Sequence, residues 1–149
     1  MSFPYKKILC PIDFDGTAEA ALKEATALAH PGNGVVILFH AVFINPIASE
    51  GFALAELQDS LEREARIKLE QMADHLEGCA HEIVVSIGIP TDCILASAKA
   101  LNADLIVMAT HGRRGVSHLI LGSVAERVIR LSSTPVLTVH PESVAGVPS

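Results

Sequence analysis

Short apolar runs alternate with longer amphipathic stretches along all 149 residues of this chain, and this alternation constrains its fold most. Each run is too short for a buried helix and is bounded by turn residues, which predicts a β-strand. The five predicted strands are residues 8–12, 35–42, 83–87, 105–109 and 136–139. The second run is almost continuously apolar, as expected for a strand whose sheet is covered on both faces.

Four stretches between the strands have apolar residues at helical spacing. They begin near Thr17, near Leu54, at Pro90 and at Ser123, and the last ends near residue 131. Strict alternation of strand and helix predicts an α/β fold, with an open five-stranded parallel sheet and helices on both of its faces. Ligands bind such sheets beyond the carboxyl ends of the strands, where the strand order reverses.

Length, charge and cysteine content exclude several classes of protein. We expect residues 1–149 to form a single domain, with a loose tail over 141–149. No apolar run approaches the ~20 residues that span a bilayer, and the first residues lack the core of a signal peptide, so a cytoplasmic protein without a membrane partner is expected. The formal net charge of −6 argues against a nucleic-acid partner. Three widely spaced cysteines predict reduced thiols rather than disulfides or a zinc site.

A strand, a glycine-bearing loop and a helix start follow one another late in the chain. Residues 105–109 run into His111 and Gly112, and Gly122 and Ser123 open the last helical stretch. Glycine backbone, free N–H groups in a first helical turn and the positive end of the helix dipole all favour phosphate. No lysine precedes Ser123 as it would in a P-loop, so fast phosphoryl transfer is not expected.

Several side chains have more than one interpretation. Ser123 and Glu126 have the spacing of a capping box, in which the serine hydroxyl caps the helix, but the same hydroxyl also suits a phosphate. His111 has no second acid, base or nucleophile near it in sequence, which favours a structural or ligand-edge role over catalysis. His40 is expected to be hydrogen-bonded near a strand end rather than to bind a metal.

The motif residues resemble one known family. Ala109, Gly112, Gly122 and Ser123 are spaced as in the signature G-x2-G-x9-G-(S/T) of the nucleotide-binding universal stress proteins, with Ala109 in place of the first glycine. The opening strand with Asp13 behind it, the second strand and the closing strand are also similar, so the resemblance covers nearly the whole chain. It implies a Rossmann-like, adenine nucleotide alpha hydrolase-like sheet with strand order 3-2-1-4-5.

The resemblance implies a binding site for ATP, or for ADP or AMP. Mg²⁺ would be held there through the phosphates, with no ligand from a side chain. Asp13 would accept hydrogen bonds from the ribose, and its alternative role is to cap the following turn, since Asp15 and Thr17 lie close to it. The residues implied to contact the nucleotide are Pro11, Ile12, Asp13, Ala41, Val42, Met108, Ala109, His111, Gly112, Arg113, Gly115, Gly122, Ser123 and Val124.

A function and a partner are implied as well. The family resemblance implies a nucleotide-dependent sensor or regulator of the stress response, with at most slow ATP hydrolysis and no catalytic residue. It also implies a homodimer through the edge strand Val136–Val139, because an exposed apolar edge otherwise favours aggregation. The alternative is a dimeric interaction or chaperone-like module that binds no nucleotide, which Ala109 favours.

Overall fold

The computed structural model describes residues 3–45, 53–76, 78–110 and 121–141, so most of the expected tail lies outside it. Within these ranges the predicted strands and helices alternate as expected. In chain order they are β1 (Lys7–Pro11), α1 (Ala18–Ala29), β2 (Val35–Val42), α2 (Ala53–Ala73), β3 (Ala80–Ile87), α3 (Pro90–Ala100), β4 (Leu105–Ala109), α4 (Ser123–Leu131) and β5 (Val136–Val139).

The strands form one sheet in the order β3-β2-β1-β4-β5, and every neighbouring pair is parallel. The predicted fold class and strand order are confirmed. From β1 the chain first moves outward through β2 to β3 and then returns to the other side of β1 with β4. The connections after β1 and β4 therefore leave in opposite directions, which opens a crevice at their carboxyl ends.

Two apolar clusters cover the two faces of the sheet, as the nearly continuous apolar strands predict. Alternate residues of β1 belong to different clusters: Ile8 and Cys10 pack on the side of α1 and α2, and Leu9 packs on the side of α3 and α4. Burial raises the pKa of the Cys10 thiol to about 12, so this cysteine behaves as an apolar core residue.

The boundaries of β3 and the buried part of α2 differ from the sequence-based expectation. β3 begins at Ala80, three residues before the apolar run, because its first residues pair with β2 through their backbones while their side chains are exposed. In α2 the buried residues are Ala65, Leu69 and Ala73, whereas Leu57 in the same predicted stripe is 39% exposed. None of the helices in the described ranges is both long and apolar enough to cross a membrane.

Candidate functional site

A cavity of about 610 Å³ lies at the carboxyl ends of β1, β2 and β4. Its volume is in the usual range for a site that encloses a small molecule. The end of β1 and the loop behind it contribute one part of the lining, and the first residues of α3 and α4 contribute another. The cavity therefore occupies the point where the strand order reverses.

Nine residues of the predicted site line this cavity: Pro11, Ile12, Asp13, Ala41, Met108, Ala109, Gly122, Ser123 and Val124. Val42, whose backbone the resemblance assigns to the adenine, is not among the residues that line the cavity. Successive strand residues point to opposite faces, and the side chain of Val42 is 5% exposed while its carbonyl accepts a hydrogen bond from the Gly88 N–H at 2.9 Å. Four further predicted residues lie outside the residues that the structure describes: His111, Gly112, Arg113 and Gly115.

Two aspartates in the loop between β1 and α1 have different partners. Asp15 Oδ1 accepts hydrogen bonds from the Thr17 N–H at 3.0 Å and from the Thr17 hydroxyl at 2.6 Å. Asp13 Oδ1 accepts a longer hydrogen bond from the Asp15 N–H, at 3.3 Å, and Asp13 lines the cavity. Asp15 thus stabilises the turn before α1 through Thr17, while Asp13 caps the preceding turn with one longer hydrogen bond and also lines the cavity.

The two aspartates also differ in their affinity for protons. Burial, together with the hydrogen bond and charge of Asp15, raises the pKa of the Asp13 carboxyl to about 6. Burial also acts to raise the pKa of Asp15, but hydrogen bonds from Asp13 and Thr17 outweigh it and hold that pKa below its usual range. The pair therefore titrates together, with Asp13 holding its proton to the higher pH.

His40 anchors the end of β1 to β2 from inside the cavity. Its Nδ1 lies 2.5 Å from the Ile12 carbonyl oxygen, so Nδ1 carries hydrogen and donates. The His40 ring packs on Phe14 with ring centroids 4.4 Å apart, and the Lys68 ammonium lies 5.1 Å from the Phe14 ring centroid. Burial lowers the pKa of His40, which leaves the imidazole neutral at about pH 7. The prediction of a hydrogen-bonded histidine near a strand end is confirmed.

The first turn of α4 forms without the predicted capping box. Gly122 is the capping residue and Ser123 is the first helical residue, and no side chain caps the helix. The side chain of Glu126 pairs with Arg130 at 3.1 Å instead of reaching back. The capping-box interpretation of Ser123 does not hold, because the helix begins one residue earlier than that motif requires and the serine hydroxyl is not in the capping position.

The backbone at this helix start offers donors to the cavity. The Gly122 N–H already donates to the Thr110 carbonyl at 2.6 Å, and the Gly122 carbonyl accepts from the Glu126 N–H at 2.9 Å. Among the described residues no backbone acceptor takes the N–H groups of Ser123, Val124 or Ala125. These three amides are the ones at the positive end of the helix dipole that remain for an anion.

Ala109 occupies a regular strand position at the edge of the cavity. It pairs in register with Val139 of β5, and it is not among the described residues with positive φ. Its backbone therefore needs none of the conformational freedom of glycine. Alanine in place of the first signature glycine therefore reduces the space in the cavity by one methyl group only.

Sequence reasoning missed some residues that line the cavity. Pro90 is the first residue of the helix that follows β3, so the rule for carboxyl ends would have found it. Phe39, Ile94 and Ala125 look like ordinary core residues in the sequence, and no local signal marks them as part of a site. The described residues hold no group of three or more side chains arranged to bind a metal ion.

A model of the universal stress protein family matches residues 4–140. The chain is 35% identical over 157 aligned positions to the universal stress protein MJ0577 of Methanocaldococcus jannaschii, covering 93% of this chain and 97% of that protein. A solved structure of MJ0577 superposes with a TM-score of 0.82 at 38% identity, covering 92% of this chain and 96% of that one.

Two more distant solved structures share the fold. One is a universal stress protein in complex with cAMP, with a TM-score of 0.70, 23% identity and coverage of 93% of this chain and 99% of that one. The other is a universal stress protein of Archaeoglobus fulgidus in complex with dAMP, with a TM-score of 0.60, 22% identity and coverage of 91% and 98%. With a family match that spans nearly the whole fold, this chain belongs to the universal stress protein family.

Proposed function

We propose that this protein binds an adenine nucleotide, ATP or its products ADP or AMP, and acts as a nucleotide-dependent regulator in the stress response. The observation that carries the proposal is the pairing, across one cavity, of the Asp13 carboxyl with the free amides of the first turn of α4. The lining of the cavity thus includes both a group that accepts hydrogen bonds and groups that donate them. A nucleotide complements these groups, because its ribose hydroxyls can donate to the carboxylate and its phosphate oxygens can accept from the amides.

The remaining lining suits the other parts of a nucleotide. Apolar side chains of Pro11, Ile94 and Met108 offer surface on which a base can pack. Gly122 has no side chain, and Ser123 is exposed at the helix start, so phosphate oxygens can approach the amides. Two proteins of the same fold were solved with cAMP and dAMP, which are ligands of this chemical class.

We expect hydrolysis of the bound nucleotide to be slow. In the described part of the cavity the ionisable side chains are Asp13, Asp15 and His40, and none of them brings a fixed positive charge to a transferring phosphate. Phosphoryl transfer depends on such charge, from lysine, arginine or metal ions. A Mg²⁺ ion would arrive with the nucleotide, held by phosphate oxygens and water.

Titration of nucleotide-free protein with ATP, ADP and AMP, with and without Mg²⁺, tests the proposal by calorimetry. The matched variant is Gly122→Val, because Gly122 has a φ of −65° and a ψ of 154° that valine also adopts, so the added bulk enters the cavity without backbone strain. We expect at least a tenfold loss of affinity, about 1.4 kcal/mol.

Ser133→Val is the control, since it adds a comparable side chain at an exposed position beyond the other end of α4. It should bind as the unaltered protein does. Equal affinity of Gly122→Val and the unaltered protein would contradict the placement of the phosphates. An unaltered protein that binds no adenine nucleotide would instead support the alternative, an interaction module whose loop holds no ligand.

We also propose a homodimer through β5. Leu137 in the middle of this edge strand is 37% exposed, and Ile129 and Leu131 at the end of α4 are 44% and 53% exposed. An apolar edge strand that pairs with its copy around a two-fold axis removes these side chains from water and satisfies the open backbone groups.

A further inference from the structure

His40 holds the residue at which the chain leaves the sheet after β1. The Ile12 N–H still donates to the Phe39 carbonyl of β2 at 2.7 Å, as in a parallel pair of strands. The Ile12 carbonyl accepts from no backbone N–H in the described part of the chain, and the His40 side chain takes that place, with its Nδ1 2.5 Å from the oxygen. This side chain thus fixes the peptide group that joins Ile12 to Asp13.

Phe14, on the other side of Asp13, contacts the same histidine. Its ring centroid lies 4.4 Å from that of His40, and the ring also packs against the apolar cluster on the side of α1 and α2. Phe14 has a φ of +63°, a conformation that bulky side chains rarely adopt. Such a conformation persists only where the surrounding contacts hold it. The packing of the ring therefore keeps the backbone directly after Asp13 in place.

The Asp13 carboxyl has little other support. Among the described residues its hydrogen bonds come from its own loop, including the Asp15 N–H at 3.3 Å. A hydrogen bond to a ligand weakens steeply when its distance and angle change, so this carboxyl depends on the backbone on each side of it. His40 contacts both neighbours of Asp13 and lines the same cavity. It therefore sets the position of the carboxyl in the cavity.

We infer that His40 is a positioning residue that places the Asp13 carboxyl for the ribose hydroxyls, and so determines a preference for ribonucleotides over 2′-deoxyribonucleotides. This inference rests on the proposed function, in which Asp13 accepts hydrogen bonds from the ribose. A deoxyribose lacks one of these hydroxyls and gains less from a correctly placed carboxylate. A carboxylate that moves out of place loses this difference, while the phosphate contacts at α4 are unchanged.

The test compares the affinities of AMP and dAMP by calorimetry on nucleotide-free protein. We expect the unaltered protein to bind AMP about tenfold more tightly than dAMP, the effect of one hydrogen bond to a charged group. His40→Leu removes the donor and the imidazole ring and keeps most of the volume. Its preference for AMP should fall to within about twofold, with its dAMP affinity within about threefold of the unaltered value.

Two matched variants separate positioning from general effects of a substitution. His40→Asn keeps an N–H donor near the place of Nδ1, so it should retain a preference for AMP of at least about threefold. His75→Leu makes the same change as His40→Leu at an exposed histidine that does not line this cavity. It should keep the full preference of the unaltered protein.

Phe14→Gly tests the other side of Asp13 without depending on whether His40→Leu folds. Glycine adopts the positive φ without strain, so this variant removes only the ring that contacts His40. The preference for AMP should again fall to within about twofold. Circular dichroism of each variant establishes that it is folded.

An unchanged preference for AMP in His40→Leu or in Phe14→Gly would overturn the inference. An equal loss of affinity for AMP and dAMP would overturn it too, because it indicates a structural role alone. If His40→Asn lost the preference as fully as His40→Leu, the hydrogen bond to Ile12 would not be the cause and the inference would be wrong.

The failure of this inference can be told apart from the failure of the proposed function. An unaltered protein that binds AMP and dAMP equally well would overturn the inference and leave the proposed function intact. If the unaltered protein binds no adenine nucleotide, the proposed function is wrong and the inference about His40 is overturned with it.

Discussion

Asp13 and Asp15 are two residues apart, and their neighbours give them different tasks. Asp15 is held by both polar groups of Thr17, which stabilises the turn into α1 and keeps Asp15 ionised. Asp13 remains at the cavity, with a pKa that burial and its neighbour raise to about 6. A carboxyl that the fold prefers to keep protonated is typical of a residue retained for binding rather than for stability.

Asp13→Asn should therefore stabilise the protein above about pH 6. The pKa of Asp13 rises from 3.8 to about 6 on folding, so the stability it contributes is complete below pH 3.8 and is lost as the pH rises through about 6. Asparagine is neutral throughout and avoids this loss. Melting temperatures measured by circular dichroism should be higher for Asp13→Asn at about pH 8, with the difference disappearing near about pH 4.

The control for this prediction is Asp15→Asn, for which the sign is opposite. The pKa of Asp15 is lowered on folding, so its stabilising effect is present at neutral pH and is lost on acidification. Asp15→Asn should melt below the unaltered protein at neutral pH. A lower melting temperature of Asp13→Asn at about pH 8 would contradict the role given to Asp13.

At the scale of elements, the groups that stabilise α4 differ from the groups at its start that could bind a ligand. Ser123 lies within the first turn and caps nothing, and Gly122 holds the capping position with its backbone alone. The helix is kept in place by its packing, since Ala125 and Val128 are buried against the sheet. Its free amides and hydroxyl contribute little to folding and remain available to the cavity.

Ser123→Ala should leave the free energy of unfolding within about 0.5 kcal/mol of the unaltered value. A serine that capped the helix would cost about 1 kcal/mol when replaced. Urea unfolding measures this difference. A cost of about 1 kcal/mol or more would restore the capping role and contradict the geometry at Gly122.

The connection between α1 and β2 depends on a close approach at Gly34. A Cβ atom there would clash with the Tyr5 carbonyl oxygen and would lie 3.1 Å from the Lys6 carbonyl oxygen. The same glycine donates its N–H to Ala29 and so ties α1 to the strand that follows. The start of β2 can therefore lie beside β1 only if this residue has no side chain.

Gly34→Ala should destabilise the protein by about 2 kcal/mol, because the clash is with backbone that cannot move without disturbing the sheet. Gly78→Ala is the comparison: no atom lies within 4 Å of its added Cβ, but its φ of +72° disfavours alanine. That conformation costs about 1 kcal/mol. Urea unfolding should give the larger loss at Gly34, and the reverse order would show that the connection can adjust.

At the scale of the whole molecule, the sheet has two different edges. β3 has the polar side chains of His81 and Glu82 near its start, and charge on an edge discourages pairing with another chain. β5 contains no ionisable side chain and has Leu137 exposed at its centre. The proposed dimer uses the edge that lacks this protection.

Leu137→Asp should convert a dimer into a monomer, because a carboxylate would be buried opposite its copy in the pairing. Sedimentation velocity measures the change. Ile87→Asp is the matched control, since Ile87 lies on the opposite edge strand and is 42% exposed. It should remain dimeric. A monomeric unaltered protein, or the same association state for both variants and the unaltered protein, would contradict the use of β5.

Much of this fold could be predicted from the sequence because its signals are local. The limits of β2, β4, α4 and β5 match those predicted from the spacing of apolar residues. A strand buried on both faces has a continuous apolar run, whereas a helix buried on one face has apolar residues at every third or fourth position. β3 was predicted too short because its first residues are held by backbone pairing, which leaves no pattern in side chains. The nine predicted residues that line the cavity include Pro11 from β1 and Met108 from β4, which only the family resemblance connected.

The sequence by itself determined the kind of fold, the strand order through its resemblance, and the end of the sheet at which a ligand would bind. Only the tertiary structure decided which polar groups form hydrogen bonds within the protein. Asp15 rather than Asp13 accepts the hydrogen bonds of Thr17, Gly122 rather than Ser123 caps α4, and the Thr110 hydroxyl has no partner among the described residues. The reason is physical: periodicity is encoded within each element, whereas the partner of a hydrogen bond comes from wherever the folded chain places one, as Val139 does for Thr110.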